Sequence, residues 1–270
     1  MDIIKVLQEE LQIGYKQAEA AVSLIDEGNT IPFIARYRKE ATGSLNDEVL
    51  RNLDERLKYL RNLEEKKEQV ISSIREQEKL TPELEKQILE AMTMVAVEDL
   101  YRPYRPKRRT RAMIAKEKGL EPLADLIWLQ QIKEPVEGLA RAYVSEEKQV
   151  ASEAEAVAGA RDILAERISD QADYRSYIRK ITMDRGMIAS SAKDGEIQSV
   201  YEMYYQYEEL IKRCAGHRIL ALNRGEKEKV LTVKIQAPEE DIIRYLEKQV
   251  ITRNNPFYGS DSAGDHSGQL

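Results

Sequence analysis

A chain of 270 residues, 42% apolar and 33% charged, is long enough for one large core or two ordinary ones and too apolar to stay disordered. Its single cysteine, Cys214, excludes an internal disulfide, and with only two histidines, His217 and His266, no His/Cys metal cluster can be built. A net charge of −6 argues against a general nucleic-acid binder, and no apolar run approaches the roughly 18 residues needed to cross a bilayer, so a cytoplasmic protein that engages no membrane is expected.

Residues 2 to 12 read as a short amphipathic helix, with Ile3, Val6, Leu7 and Leu11 at helical spacing. A second helix, from about Tyr15 to Glu27, sets Ala18, Ala21, Val22 and Ile25 on one face and stops at Gly28, which permits a left-handed exit. Its solvent side carries Lys16 against Glu19, Asp26 and Glu27, so the pair reads as a packing unit and not as a DNA-reading one. In Thr30 to Glu40, Thr30 offers an N-cap and Pro32 lies in the first turn; a turn at Thr42-Gly43-Ser44 follows. The longest helix then runs from about 46 to 78, capped by Asn46, with Asp47 and Glu48 favourable at the positive end of the helix dipole. Leu50, Leu53, Leu57 and Leu60, then Ile71 and Ile74, fall on alternating three- and four-residue steps, with Glu64 and Lys67 on the seam between them. Such a helix is roughly 50 Å long and packs against partner helices of the same chain. Thr81-Pro82 restarts the chain, and Leu84, Ile88, Met92 and Val95 continue the apolar stripe.

The segment YRPYRPKRRTR cannot be regular helix, because Pro103 and Pro106 remove donors and push the residues before them towards extended conformations. It reads as an ordered loop anchored by Tyr101 and Tyr104. Short helices are expected at about 110–118, ended by Gly119, at about 121–131, and near 135–143; Leu123, Leu126, Ile127 and Trp128 form an apolar cluster in the second. Ser152 to Glu155 is a capping-box pattern, and the alanine-rich helix it starts would allow a close helix–helix approach. Asp173 to Asp184 shows Tyr174, Tyr177, Ile178 and Ile181 on one face. A loop or small hairpin is expected over 186–197, and helix again from Val200 to Arg213. His217 to Gln236 fits either a helix followed by a strand or a hairpin. Pro238-Glu239-Glu240 opens a last helix, and the final small, polar residues predict a disordered tail.

The fold expected is therefore mainly α: a multi-helix array organised around one long helix, with at most a small β-hairpin or strand in the C-terminal third. It divides into a helical region over 1–100, the basic Pro-containing loop and the start of the next helix over 101–118, a second helical region over 119–252 with a possible small β element, and the tail over 253–270.

Little in the chain carries catalytic chemistry. There is no G-x-x-x-x-G-K-[ST] loop and no G-x-G-x-x-G turn, adjacent acids are common by chance, and His217 beside Arg218 reads as a hydrogen-bonded structural residue. No catalytic residue, metal site or cofactor is predicted, and the chain reads as a non-enzyme. One feature stands out. From Tyr101 to Lys118 there are eight Lys or Arg and one acid, Glu117, a local balance of +7 that leaves −13 for the rest. Arg102, Arg105, Lys107, Arg108, Arg109 and Arg111 could bind phosphates while Tyr101 or Tyr104 stacks on an unpaired base. The same arginines could instead pair with the surrounding acidic helices, and the two prolines favour that fixed strap.

Four long segments resemble the N-terminal region of Tex, a family of bacterial transcription accessory proteins: NTIPFIARYRKEATGSLNDEVLR (29–51), EDLYRPYRPKRRTRAMIAKEKGLEPLAD (98–125), GARDILAERISD (159–170) and HRILALNRGEKEKVL (217–231). The resemblance implies a helical scaffold acting with RNA polymerase or its transcript. It also implies that the family's nucleic-acid binding rests mainly on later domains not read in this sequence: an RNase H-like domain not thought to be an active nuclease, helix-hairpin-helix units and an OB-fold. RNA or DNA binding by this stretch alone is accordingly expected to be weak. The alternative is an autonomous nucleic-acid-binding module using the basic loop 102–111.

Overall fold

The structure is a computed structural model that describes residues 1–106, 109–195 and 198–252. It consists of two compact units, Met1–Arg105 and Pro106 onward.

The first unit is built on one helix. α4 (Asp47–Glu76) starts where the Asn46 side chain accepts a hydrogen bond from the Val49 N–H at 2.8 Å, with Asp47 and Glu48 in the first turn. At 30 residues it is about 45 Å long. Its buried stripe comprises Leu50, Leu53, Leu57, Leu60, Leu63, Val70, Ile71 and Ile74, interrupted by a buried lysine, Lys67. α1 (Ile3–Leu11), α2 (Tyr15–Asp26), α3 (Ile31–Tyr37), α5 (Pro82–Glu90) and α6 (Met94–Tyr101) all pack on α4, so one apolar seam serves five partners. α2 ends at Gly28, whose φ of +84° is the left-handed exit expected there.

The stripe expected to run on through Met92 and Val95 does not. α5 stops at Glu90, Ala91 is extended, and Thr93 caps α6 by accepting from the Ala96 N–H at 3.2 Å. That break resets the register. Met92 and Val95 are exposed, and Val97 and Asp99 are the residues turned inward.

In the second unit, α7 (Arg111–Glu117), α8 (Glu121–Leu129), α9 (Val136–Ala140) and α10 (Glu153–Ser169) share a core of small residues with Leu120, Leu123, Val150 and Ile163. The close approach of α10 to α7 turns on Gly159. A Cβ there would lie 2.4 Å from Leu120 Cδ1 and 3.2 Å from the Ala115 Cβ. Ser152 caps α10, accepting from the Glu155 N–H at 3.2 Å, while the Glu155 carboxylate accepts from the N–H of Ala151, one residue before the position a capping box uses. Of the apolar cluster expected in α8, Leu123 is fully buried but Leu126 is exposed, and Trp128 is half-buried with the Arg167 guanidinium 5.3 Å from its ring.

The rest of the second unit is a small three-stranded antiparallel sheet with helices α11 (Ala172–Arg185), α12 (Gly216–Lys227) and α13 (Glu239–Val250). β1 (Met187–Ala192) is the central strand, flanked by β2 (Gln206–Leu210) and β3 (Leu231–Gln236), with Ser190 opposite Tyr207 on one side and Val233 on the other. The loop or small hairpin expected over 186–197 is thus replaced, at Met187–Ala192, by a strand whose partners lie outside that stretch. The helix expected over Val200–Arg213 is also overturned: a short 3-10 turn, Glu202–Tyr204, leads into β2 and a second turn, Ile211–Arg213. Ser190 Oγ donates to the Tyr204 carbonyl at 2.6 Å and locks that turn against β1, where tyrosines suit a half-buried pleated surface. His217–Gln236 is a helix followed by a strand. The mainly α fold with a small β element in its C-terminal third is as expected; the tail, 253–270, lies outside the described residues.

A candidate nucleic-acid interface in the basic segment

The unit boundary divides the basic segment, so its two ends are positioned by different cores. In the first unit, Tyr101 closes α6 and its hydroxyl shares a hydrogen bond with Ser73 Oγ of α4 at 2.9 Å. The next turn stays wound, with the Tyr104 and Arg105 N–H groups both donating to the Tyr101 carbonyl at 2.9 and 3.0 Å. Gln77 Nε2 then donates to the Tyr104 carbonyl at 3.0 Å. Both rings are half-buried against the core of the first unit, which makes them anchors. Arg102 is exposed but engaged, and Arg105 is exposed with no ion pair among the described residues.

In the second unit, Arg109 Nη2 pairs with Glu117 Oε2 at 2.9 Å across α7. Thr110 caps that helix, accepting from the Met113 N–H at 3.1 Å. Arg111 opens it, exposed, at the side of a shallow groove of about 190 Å³ whose polar lining is Arg111, Lys118, Glu155 and Asp162. Lys118 Nζ reaches Glu155 at 2.6 Å, and this hydrogen bond, with the one from Ala151, holds the Glu155 carboxyl below its ordinary range. Of the eight residues singled out from sequence, Lys107 and Arg108 lie outside the described residues. The other six are divided: Tyr101 and Tyr104 serve packing, Arg109 serves an internal ion pair, Arg102 is engaged, and Arg105 and Arg111 present unpaired cations among the described residues.

Two polar clusters were not singled out as sites from sequence. In the first unit, the buried Lys67 ammonium donates to the Leu89 carbonyl at 2.8 Å and lies 2.8 Å from Glu64 Oε1, while the Met1 ammonium reaches Glu64 Oε2 at 2.8 Å. The contact to Oε1 is an ion pair by distance without hydrogen-bond alignment. In the second unit, the Tyr207 hydroxyl donates to Glu209 Oε2 and Arg218 donates to Glu209 Oε1 at 2.5 Å. Burial, reinforced by Glu209, pushes the Tyr207 hydroxyl up to about 12, and the two donors hold the Glu209 carboxyl low. Burial pushes the neighbouring Cys214 thiol up. A carboxylate held low and a phenol at about 12 are far from the near-neutral values that proton transfer favours, so this triad is a clamp between β2 and α12. His217, expected to be hydrogen-bonded, is instead exposed, and its side chain makes no hydrogen bond among the described residues. No three His, Cys, Asp or Glu side chains among those residues are grouped to hold a metal ion, and no described helix is long and apolar enough to cross a membrane.

Two stretches match known families: residues 1–75 the Tex-like protein N-terminal domain, and residues 131–263 the Tex central region-like family. Over 248 residues the chain is 47% identical to the uncharacterized protein YdcI of Bacillus subtilis, covering 91% of this chain and 34% of that protein. It is 42% identical over 243 residues to the transcriptional accessory protein Tex of Neisseria gonorrhoeae, covering 89% and 32%. The human S1 RNA-binding domain-containing protein 1 is 31% identical over 251 residues, covering 87% of this chain and 24% of its own length. The chain spans about a third of the length of its bacterial relatives.

Proposed function

As this chain belongs to the Tex family, we propose that it is the helical scaffold portion of a transcription accessory protein that acts with RNA polymerase and nucleic acid. The observation that carries the reading is the order of two Tex regions on one chain, in a sequence 42% identical to a transcriptional accessory protein. The packing supports it: α4 gathers five helices on one seam, as a rigid support for further domains requires. In this reading the chain works in the cytoplasm, is not an enzyme, uses no cofactor, and this stretch by itself binds RNA or DNA weakly. The human relative's S1 RNA-binding name supports an RNA-directed role for the whole protein. The autonomous module using 102–111 is the weaker alternative, because Tyr101, Tyr104 and Arg109 are spent on internal contacts.

The test is retention of reconstituted elongation complexes on the immobilised chain, with and without digestion of the protruding transcript. Retention that survives digestion supports contact with the polymerase, and retention lost on digestion points to the transcript. Complexes that fail to bind in either state sink the reading.

A further inference from the structure

We propose that α3 and the turn after it form a binding site for single-stranded nucleic acid, with Phe33 and Tyr37 as stacking faces and Arg36, Arg38 and Lys39 as phosphate partners. This site lies outside the basic segment and deepens the nucleic-acid side of the proposed function.

The helix IPFIARY is anchored by Ile34, which is fully buried, while Phe33, Arg36 and Tyr37, three and four residues apart, share its outer face. Tyr37 is 63% exposed and Phe33 37%. Their ring centroids lie 5.2 Å apart at 45°. The Arg36 guanidinium stands 6.0 Å from the Tyr37 ring and that of Arg38 5.7 Å from the Phe33 ring. Those distances lie at the outer end of the cation–π range, and both rings keep the exposure given above.

The charges are left open as well. Every arginine of α4 pairs with a carboxylate: Arg51 with Asp47 at 2.7 Å, Arg56 with Glu10 at 2.6 Å, Arg61 with Asp26 at 2.7 Å and Arg75 with Glu85 at 3.1 Å. Arg36, Arg38 and Lys39 are exposed and have no ion pair among the described residues. In an acidic chain, three neighbouring cations without ion pairs, with Glu40 the one acid among residues 31–40, leave a local balance of +2 beside two exposed rings and match a partner that brings anionic charge and flat apolar faces together. An unpaired strand does so at every nucleotide. A duplex hides its base faces, and an acidic peptide uses the cations but leaves the rings in water.

The platform is also held in place. Thr42, fully buried, donates through its hydroxyl and its N–H to the Arg38 carbonyl, both at 3.1 Å, and the Ser44 N–H donates to the Lys39 carbonyl at 2.7 Å. Gln17 Nε2 of α2 donates to the Thr42 and Gly43 carbonyls at 3.2 and 3.0 Å. Gly43 has a φ of +60°, and a Cβ there would lie 2.6 Å from Gln17 Nε2, so the turn needs its glycine. Backbone that is fixed before binding loses less freedom on binding.

The experiment is fluorescence anisotropy of the full chain with labelled oligo-U, oligo-dT and a duplex, at low and physiological salt. Three variants run in parallel: Phe33→Ala/Tyr37→Ala, Arg36→Glu/Arg38→Glu, and Arg108→Glu/Arg109→Glu in the basic segment. All replaced α3 groups are exposed, and unchanged thermal melting establishes that the variants fold. Both single strands should bind in preference to duplex, with a log–log salt slope of about −2 for three phosphate contacts. The ring variant should weaken binding by about tenfold or more, and the α3 charge reversal should remove it. Undetectable binding at low salt, equal affinity for duplex, or loss confined to the Arg108→Glu/Arg109→Glu variant overturns the proposal. So does loss of polymerase retention by the α3 variants with oligonucleotide binding intact, which would assign the patch to a protein partner. The anisotropy contains no polymerase, so failed retention alone would sink the proposed function and leave this site standing.

Discussion

Glu64 illustrates how a single position combines burial, charge and chain geometry. Burial alone would push its carboxyl up, but Lys67 and the Met1 ammonium outweigh that effect and hold it below the ordinary carboxylate range. A carboxyl lowered in the folded state contributes stability that is present above its unfolded value, about 4.3, and is lost as pH falls through the folded value. Glu64→Gln should therefore cost about 1–3 kcal/mol at neutral pH by urea unfolding, with the gap to the parent closing in acid. Tyr207 works at the other end of the scale. Its hydroxyl is raised to about 12, so the stability it contributes is complete below its unfolded value, about 10, and declines as pH rises towards 12. An alkaline unfolding titration should contain a component over that window, and Tyr207→Phe should remove it. The seam position of Glu64 and Lys67 is legible in the heptad spacing. The Leu89 carbonyl that satisfies Lys67 is not, because it arrives from a helix 22 residues further on.

At the scale of elements, the apolar seam of α4 should carry the first unit's stability, while the stripe read across residues 92 and 95 should carry none. Leu57 is 1% exposed and Met92 45%. Leu57→Ala is expected to cost about 2–5 kcal/mol and Met92→Ala less than about 0.5 kcal/mol, compared by chemical denaturation. Gly159→Val should cost about 1–3 kcal/mol, since the added atoms meet Leu120, itself buried, and the immovable Ala115 Cβ. The long helices were legible because their caps and periodicity are local. The sheet was not. Val200, Tyr204, Tyr207, Leu210 and Ile211 fit a helical face as written, and β2 forms only because β1 supplies its hydrogen-bonding partner. A strand whose partner lies elsewhere in the chain has no local signature strong enough to override a plausible helical period.

Across the whole molecule, the two routes to nucleic acid differ in how they could be seen. The basic segment is a matter of composition, visible as soon as charges are counted. The α3 platform contains five residues whose significance depends on exposure and on the lack of ion pairs among the described residues, and neither can be counted from a string. The same distinction between local and distant information applies to Gln130. This residue closes α8 in the left-handed region, at a φ of +53°, and its side chain donates to the Val250 carbonyl at 2.6 Å and accepts from the Thr252 N–H at 3.0 Å. The two ends of that clasp are 120 residues apart, so closing it early in folding would forfeit the freedom of nearly everything between them. It should form after the rate-limiting step. In stopped-flow measurements Gln130→Ala is then expected to leave the refolding rate close to the parent's and to accelerate unfolding by about fivefold, the kinetic form of about 1 kcal/mol. One glutamine at the end of a short helix would thus govern how long the second unit stays folded, and have little say in how quickly it gets there.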